Sequence, residues 1–352
     1  MMLGANVAVI LAMAATGYCG LVNTAEHPIC GVLQLTFPAF LGLNAFFLVF
    51  WVLVKLRYVL VPFLGFLACF DPVHRYIPMN PAVSRSDTVK TLKVISFNVF
   101  NFEVIDSSKA RPNEILHYLQ NCGADVICLQ ECEVGLIGRD KIEEAVKGIY
   151  PYFYVVSTGP GSPLGVLSKY PSLKNEFVEY ESVYNSSCAF HLKINNDTVV
   201  VINNHLESNH IFTDVRANIG SMVKGKLDRH ETKEEAKSVL DNLCFGNSLR
   251  APQADSIVAY INRHSDKRII LCGDFNDTSL SYAHRILSDK LTDCFTSAGN
   301  GLGWTFSEGI MKVRIDHIMC SRHYRPVECR IDKSICTSDH YPIVCYLEER
   351  KE

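Results

Sequence analysis

The sequence predicts an α/β domain preceded by transmembrane helices, and three observations lead to this prediction. The first 70 of the 352 residues carry only three formal charges, at Glu26, Lys55 and Arg57. The rest of the chain repeats short β-branched apolar runs between charged, helix-like stretches, as expected for sheets covered by helices. Polar residues follow several of these runs, where sheet enzymes place their ligand-binding loops.

The apolar start of the chain predicts a membrane anchor over 1–70. Two uncharged runs, 2–25 and 28–54, each exceed the roughly 20 residues that cross a bilayer as a helix. A third run, 58–70, would span only about 20 Å as a helix, which fits a thinned span, a re-entrant segment or an interfacial helix. No basic n-region or small-residue cleavage site supports a signal peptide. We therefore expect a multi-pass integral membrane protein with two to three transmembrane segments.

The basic residues Lys55 and Arg57 lie between the second and third apolar runs. The positive-inside rule places this turn in the cytoplasm. If 58–70 crosses the membrane, the rest of the chain lies outside the cytoplasm, and this is the side we expect; if it does not cross, the rest lies inside. Prolines and scattered charges predict a linker over 71–89, followed by the α/β domain over 90–350.

The charge balance argues against one class of function. The chain has 34 basic and 37 acidic side chains, a net charge of −3. A protein with this balance has no global attraction for polyanions, so an unaided nucleic-acid-coating protein is disfavoured. Of the 14 cysteines, several lie in apolar strand-like runs without any zinc-ligand spacing. We expect these thiols to be small buried hydrophobes and not disulfides.

Apolar β-branched runs predict the strands, and amphipathic or charged stretches predict the helices between them. The predicted strands are 92–99, 125–131, 189–194, 198–206, 268–275, 313–320 and 341–347. The predicted helices are 111–121, 139–148, 221–242 and 251–264. The region 209–250 is longer than a simple connection requires, and we expect it to form a helical flap beside the functional site.

Polar side chains at strand ends form the candidate site. They are Asn98, Glu131, Asn204, His205, Asp274, Asn276, Asp316, His317, Ser338, Asp339 and His340. Each alone is equally consistent with a turn, a cap or a hydrogen-bonded core histidine. Together, oxygen donors without thiolates suit Mg²⁺ or Mn²⁺, and histidines beside them suit phosphate binding and proton transfer. This combination is what metal-assisted phosphoester hydrolysis requires.

Six motifs in order carry a resemblance to a known family. They are FN (97–98), LQE (129–131), NNHL (203–206), GDFN (273–276), RIDHI (314–318) and SDHYP (338–342). This series resembles the endonuclease/exonuclease/phosphatase superfamily, which includes deoxyribonuclease I, AP endonucleases, neutral sphingomyelinases and inositol-polyphosphate 5-phosphatases. The resemblance implies a four-layer α/β sandwich, with two packed mixed β-sheets flanked by helices and the active site at one rim.

The resemblance also implies residue roles around Mg²⁺ or Mn²⁺. The metal site would comprise Glu131, Asn98 and Asp339, with Asn98 also orienting Glu131. The catalytic groups would be Asp274, which orients or deprotonates water, together with His340, His205 and Asp316, the last of which orients His340. The substrate phosphate would be bound by Asn276, His205 and Asn204.

Three departures from the patterns of individual family members narrow the range of possible functions. Phe100 stands where AP endonucleases carry an acidic residue, and those enzymes lack a histidine at the position of His205. Deoxyribonuclease I pairs the corresponding histidine with a glutamate, which has no counterpart in 162–171. The departures disfavour abasic-site repair and predict a less activated His205.

Three hypotheses about function remain at this stage. The first is a membrane-anchored phosphodiesterase or phosphatase acting on a lipid headgroup or small phosphoester, since tethering concentrates an enzyme at a membrane substrate. The second is a deoxyribonuclease I-like nuclease acting on DNA or RNA, with Lys224, Lys226, Arg322 and Arg325 as phosphate contacts. The third is a non-catalytic membrane interaction module. An apolar rim would favour lipid, and a basic groove would favour nucleic acid.

Overall fold

The apolar N-terminal segment folds into helices that pack side by side. A computed structural model describes residues 1–81, 91–102, 113–158, 161–209, 229–308 and 311–350. Two stretches, Met2–Leu21 and Ile29–Val54, are long and apolar enough to cross a membrane. The third apolar run is a broken pair of helices that meet at 69°. The helices are α1 Met2–Gly17, α2 Pro28–Leu33, α3 Phe37–Val54, α4 Leu60–Ala68 and α5 Phe70–Tyr76.

Buried amides connect three of these helices. The Asn6 Nδ2 of α1 donates to Asn44 Oδ1 of α3 at 3.3 Å, and the Trp51 Nε1 donates to Asn6 Oδ1 at 3.1 Å. Asn44 Nδ2 in turn donates to the Pro62 carbonyl of α4 at 3.0 Å. These buried hydrogen bonds help to fix how the three helices pack against one another.

The predicted linker 71–89 is wrong at its start, because α5 continues the helical segment to Tyr76. Pro72 lies in the first turn of α5, where its missing N–H costs nothing. The ring of Tyr76 packs edge-on against Phe37 at 5.7 Å between centroids, so tertiary contact holds α5 in place. Residues 82–89 of the predicted linker lie outside the described part of the chain.

Two six-stranded mixed sheets form the α/β domain, which confirms the predicted fold class. The strands of the first sheet are β1 Thr91–Asn98, β2 Val126–Gln130, β3 Tyr152–Val156, β4 Leu164–Ser168, β13 Tyr324–Ile331 and β14 Ile343–Glu349. Those of the second are β5 Ser172–Phe177, β6 Ser187–Ile194, β7 Asp197–His205, β8 Arg268–Asp274, β9 Thr292–Asp293 and β12 Asp316–Cys320. The first sheet has the order β13-β14-β1-β2-β4-β3 and the second β5-β6-β7-β8-β12-β9. β1 runs parallel to β2 and β7 parallel to β8, and the other neighbours are antiparallel.

Helices cover the outer faces of both sheets. α6 Glu114–Asn121 and α7 Arg139–Val146 pack on the first sheet. α8 Arg229–Arg263 and α9 Tyr282–Ser288 pack on the second, and α10 Cys294–Ala298 follows β9. The prediction of two helices over 221–242 and 251–264 is wrong in one respect, because α8 joins their described parts into one helix. The predicted strand 313–320 is divided, since 311–313 belongs to a small hairpin of β10 Phe306–Glu308 and β11 Met311–Val313.

The core between the sheets is rich in buried thiols. All 14 cysteines are free. Those in the core between the sheets are Cys128, Cys188, Cys272, Cys294, Cys320, Cys329 and Cys345. They serve there as small apolar side chains.

Gly20 lies where the helical segment docks on the α/β domain. A Cβ added at Gly20 would overlap the Leu280 carbonyl oxygen, which is backbone and has no room to move. We expect Gly20→Ala to destabilise the docked arrangement by about 1–3 kcal/mol, a fall in Tm of roughly 2–4 °C per kcal/mol. Gly42→Ala is the control, since nothing lies within 4 Å of its added Cβ. Equal thermal unfolding of both variants in detergent would contradict the prediction.

Candidate active site

The strand ends bring the predicted polar residues to one edge of the sandwich. Asn98 ends β1 and Glu131 follows β2, and because these strands are parallel their carboxyl ends meet. His205 ends β7 opposite Asp274, which ends the parallel strand β8. β12 runs antiparallel to β8 and begins at the same edge, with Asp316 paired to Asp274. The topology therefore explains why these residues, distant in sequence, lie together.

Asn98 connects the two sheets at this edge. Its Nδ2 donates to Glu131 Oε1 at 3.0 Å in the first sheet and to Asp274 Oδ2 at 3.1 Å in the second. Its Oδ1 accepts the Phe100 N–H at 3.0 Å, which determines the orientation of the amide. Asn98 thus positions two carboxylates, and its oxygen is already engaged by the backbone.

His340 forms a hydrogen-bonded pair with a buried carboxylate. Its Nδ1 lies 2.8 Å from Asp316 Oδ2, and its Nε2 lies 3.6 Å from Asp274 Oδ2. Burial opposes protonation of His340, but the charges of Asp316 and Asp274 outweigh burial and raise its pKa to about 10. Burial and the neighbouring Asp316 charge raise the pKa of Asp274 to about 6. His340 is therefore the cation of this group.

His205 has a different environment. Its Nε2 is 3.7 Å from Asp274 Oδ2 and 3.9 Å from Glu131 Oε1. Its buried Nδ1 has no hydrogen-bond partner among the described residues. Burial, together with the positive charge of His340, lowers the pKa of His205 and keeps it neutral.

The sequence of this domain matches a known family. The family model described as "Endonuclease/Exonuclease/phosphatase family" matches residues 95–340. The chain belongs to the endonuclease/exonuclease/phosphatase family. Its members are hydrolases that act on phosphoester bonds. A second family model, described as a domain of unknown function (DUF8431), matches residues 1–76. A comparison with curated proteins found no match.

Solved structures share the fold at low sequence identity. A family protein from Beutenbergia cavernae is 15% identical, with a TM-score of 0.53 over 74% of this chain and 72% of that one. A family protein from Bacteroides thetaiotaomicron is 17% identical, with a TM-score of 0.51 over 75% and 100%. D. rerio TDP2 complexed with a single-strand DNA product is 18% identical, with a TM-score of 0.51 over 74% and 99%. These likenesses concern the fold alone.

A cavity of about 890 Å³ lies at this edge of the sandwich. Six predicted residues line it, and α8 contributes a wall through Leu243, Asn247 and Arg250. The described part of the predicted flap is helical and lines the cavity, so this part of the prediction is confirmed. Residues 210–228, which include Lys224 and Lys226, lie outside the described residues. The predicted lining residues are Glu131, His205, Asp274, Asn276, Asp339 and His340.

Asn204 does not join this group. It is fully buried and absent from the cavity lining, because successive side chains of β7 point to opposite faces and His205 takes the cavity side. Its predicted contact with phosphate therefore lacks the required geometry.

Asn276 and Glu131 do line the cavity, and both hold left-handed backbone, with φ of 50° and 51°. Such backbone in non-glycine residues is concentrated at functional sites.

Sequence reasoning missed a polar contact that joins the helical segment to the site. The buried Gln34 donates to Asp277 Oδ1 at 2.8 Å and accepts the Thr278 hydroxyl at 2.8 Å. The other Asp277 oxygen lies 3.3 Å from Arg250 Nε of α8. One signal was available, since Gln34 is a polar residue within an apolar run, and such residues usually have a specific function.

The donor atoms of the cavity fit a hard divalent cation, which enzymes of this family typically use. Its lining contains the carboxylates of Glu131 and Asp339, and no cysteine among the described residues. Mg²⁺ is usually held by one or two protein carboxylates, with water and substrate phosphate completing its shell. The Glu131 side chain remains 24% exposed, so it is accessible from the cavity.

Proposed function

We propose that this protein is a membrane-anchored, Mg²⁺- or Mn²⁺-dependent hydrolase of phosphoester bonds. One observation carries the proposal: Glu131, His205, Asp274 and His340 meet in a single cavity from the ends of separate strands. This arrangement places a carboxylate suited to a metal beside a carboxylate and two histidines suited to proton transfer and charge neutralisation. An intact set of these groups disfavours a non-catalytic interaction module.

Each side chain has a task that its contacts support. Bound metal would supply a Lewis acid for the phosphate oxygens, with Glu131 and Asp339 holding it and Asn98 positioning Glu131. Asp274 orients the attacking water and accepts its proton as the new bond to phosphorus forms. The cation His340, positioned by Asp316, offsets negative charge on the phosphate.

Two further groups would hold the other atoms of the phosphoester. Asn276 binds a non-bridging phosphate oxygen. The neutral His205 donates a hydrogen bond to the leaving oxygen as its bond to phosphorus breaks. In this proposal Asn98 and Asp316 are positioning residues, since neither lines the cavity.

We propose an anchor over the N-terminal helices and a catalytic domain outside the cytoplasm. The Tyr18 hydroxyl donates to the Ala68 carbonyl at 2.7 Å, near the docking face at Gly20. At the other end of the bundle, Trp51 packs on Tyr58 beside Lys55 and Arg57. With the basic turn in the cytoplasm, the catalytic domain lies across the membrane from it. Protease access in sealed, right-side-out vesicles tests this orientation.

Turnover of the full-length protein in detergent tests the proposed function. The substrates are bis-p-nitrophenyl phosphate, p-nitrophenyl phosphate and plasmid DNA, each with and without Mg²⁺ or Mn²⁺. We expect metal-dependent hydrolysis, and His340→Asn should lower kcat by about 10²–10³-fold because it removes a group active in proton transfer or charge stabilisation.

His117→Asn is the matched control, since His117 is exposed on α6. Equal activity of the two variants, or absence of turnover on these three substrates and on phospholipids as well, would contradict the proposal. Preference for plasmid DNA would support the nuclease hypothesis instead.

A further inference from the structure

The membrane segment forms part of the catalytic cavity. Gly31, Leu35 and Pro38 line the same cavity as Glu131 and His340. All three belong to Ile29–Val54, a stretch apolar and long enough to cross a membrane. The anchor therefore contributes a wall to the cavity in addition to tethering the domain.

This wall is fixed by close contacts with the catalytic domain. Gln34, only 2% exposed, hydrogen-bonds to Asp277 and Thr278 on the strand side of the cavity. Thr24 Oγ1 donates to the Asn247 carbonyl of α8 at 3.0 Å, and a Cβ added at Gly31 would overlap the Asn247 side chain. Through Gly31 and Asn247, α2 lies directly against α8, so the wall is built into the fold.

The position of the wall along the span places the cavity at the membrane surface. A hydrocarbon core is covered by about 20 helical residues. About 20 residues counted back from Val54, which ends α3 next to Lys55, extend to Leu35. The remaining residues, 29–34, then lie at the level of the lipid headgroups, and the cavity opens beside them.

The surface around the wall is apolar. Leu35 is 40% exposed although it lines the cavity, and Ile29 and Leu33 on α2 are also exposed. Leu240 and Phe245 are exposed on α8, the other helix of this wall. Exposed apolar surface of this kind is costly in water and marks contact with a membrane or an apolar ligand.

The charges of the cavity fit one phosphate group and not a polyanion. Carboxylates dominate its described lining, and its Arg250 is already paired with Asp277. Lys312 is a further lining cation. Arg322 and Arg325, the described part of the expected nucleic-acid track, are not in the lining, and Arg325 pairs with Glu348. A nucleic acid would need a row of cations along its backbone.

We propose that the substrate is a membrane phospholipid drawn from the bilayer beside α2 and α3, a proposal that rests on the proposed function. Its phosphoester lies near Glu131, Asn276 and His340. Its acyl-bearing part lies against Leu35 and Pro38 of the anchor and Leu243 of α8. These three apolar residues determine specificity, because they distinguish a lipid phosphoester from a small soluble one.

The experiment compares a lipid with a soluble phosphoester on the full-length protein. With Mg²⁺ or Mn²⁺ present, kcat/KM is measured for bis-p-nitrophenyl phosphate and for phosphatidylglycerol, phosphatidylcholine and phosphatidic acid in detergent micelles. Mass spectrometry follows headgroup or phosphate release. We expect hydrolysis of at least one lipid. In the double variant Leu35→Gln/Leu243→Gln, kcat/KM for the lipid divided by kcat/KM for the soluble ester should fall by at least about tenfold, because apolar contact with the lipid is lost.

Leu173→Gln on β5 is the control, since Leu173 is 60% exposed and outside the cavity lining. It should leave the ratio unchanged. Turnover of the soluble ester without any lipid hydrolysis, or an unchanged ratio in the double variant, would overturn the inference and leave the proposed function standing. Lack of turnover on every substrate would overturn both.

The dependence of kcat/KM on the length of the acyl chains tests the inference even if the double variant does not fold. On the wild-type protein, kcat/KM should rise by at least about tenfold from dibutyryl to dihexanoyl phospholipids below their micelle concentrations, as added methylenes are buried. Equal kcat/KM values would overturn the inference.

Discussion

Asp274→Asn is expected to lower kcat by about 10³–10⁴-fold, the upper part of the range for proton transfer by a positioned side chain. Asp274 lies within reach of both cavity histidines, at 3.7 Å from His205 Nε2 and 3.6 Å from His340 Nε2. Asparagine keeps the shape and can still accept a hydrogen bond from Asn98, but it cannot take a proton from water. Steady-state hydrolysis of bis-p-nitrophenyl phosphate measures the loss.

The same substitution should leave the protein at least as stable as the wild type at pH 8. Burial raises the pKa of Asp274 to about 6 from an ordinary value of 3.8. The folded state therefore binds more protons than the unfolded state between these values, and stability falls as pH rises through this window. Asparagine carries no charge and so avoids the cost of burying an ionised carboxylate. Any excess of the Tm of Asp274→Asn over that of the wild type should disappear towards pH 4, where the wild-type carboxyl is protonated.

Asp289→Asn, on an exposed residue after α9, is the control for both measurements. Activity of Asp274→Asn above one tenth of the wild-type value would contradict its assigned role. A large fall in its Tm at pH 8 would show that Asp274 serves the fold more than the reaction.

Removal of divalent metal is expected to lower turnover by about 10³-fold or more, since Lewis-acid stabilisation is worth several kcal/mol. Turnover after treatment with EDTA should return on addition of Mg²⁺ or Mn²⁺. Glu131→Gln should weaken the apparent metal affinity by about 10–100-fold, which is the typical cost of disturbing a metal shell. Metal titrations of activity measure this shift.

Glu143→Gln, in an exposed pair with Arg139 on α7, is the matched control and should titrate as the wild type does. Full turnover by the EDTA-treated protein would exclude a metal-dependent reaction. A metal titration of Glu131→Gln that coincides with the control would remove Glu131 from the proposed metal site.

The sequence predicted much of the central sheet structure but little of the sheet edges. β1, β7 and β8 are long apolar runs, and their composition alone indicated strands. β3 and β5 were not predicted, since their residues are half-exposed or polar and they form strands through pairing with β4 and β6. For such strands, tertiary pairing outweighs intrinsic preference.

The site was predictable as a list of residues but not as an arrangement. Motif spacing singled out His205 and Asn204 equally, and only the direction in which β7 presents its side chains separated them. The orientation of Asn98 likewise depends on Phe100 N–H, a contact that spacing does not encode.

The sequence by itself determined the two long apolar stretches, the family and the polar residues at the strand ends. These depend on local composition and on motif order, which are properties of the chain alone. Only the tertiary structure decided that the N-terminal helical segment forms a wall of the cavity. That outcome depends on contacts such as Gln34 with Asp277, which join residues 243 positions apart. No local pattern specifies such a contact, because it arises from how whole helices and sheets pack.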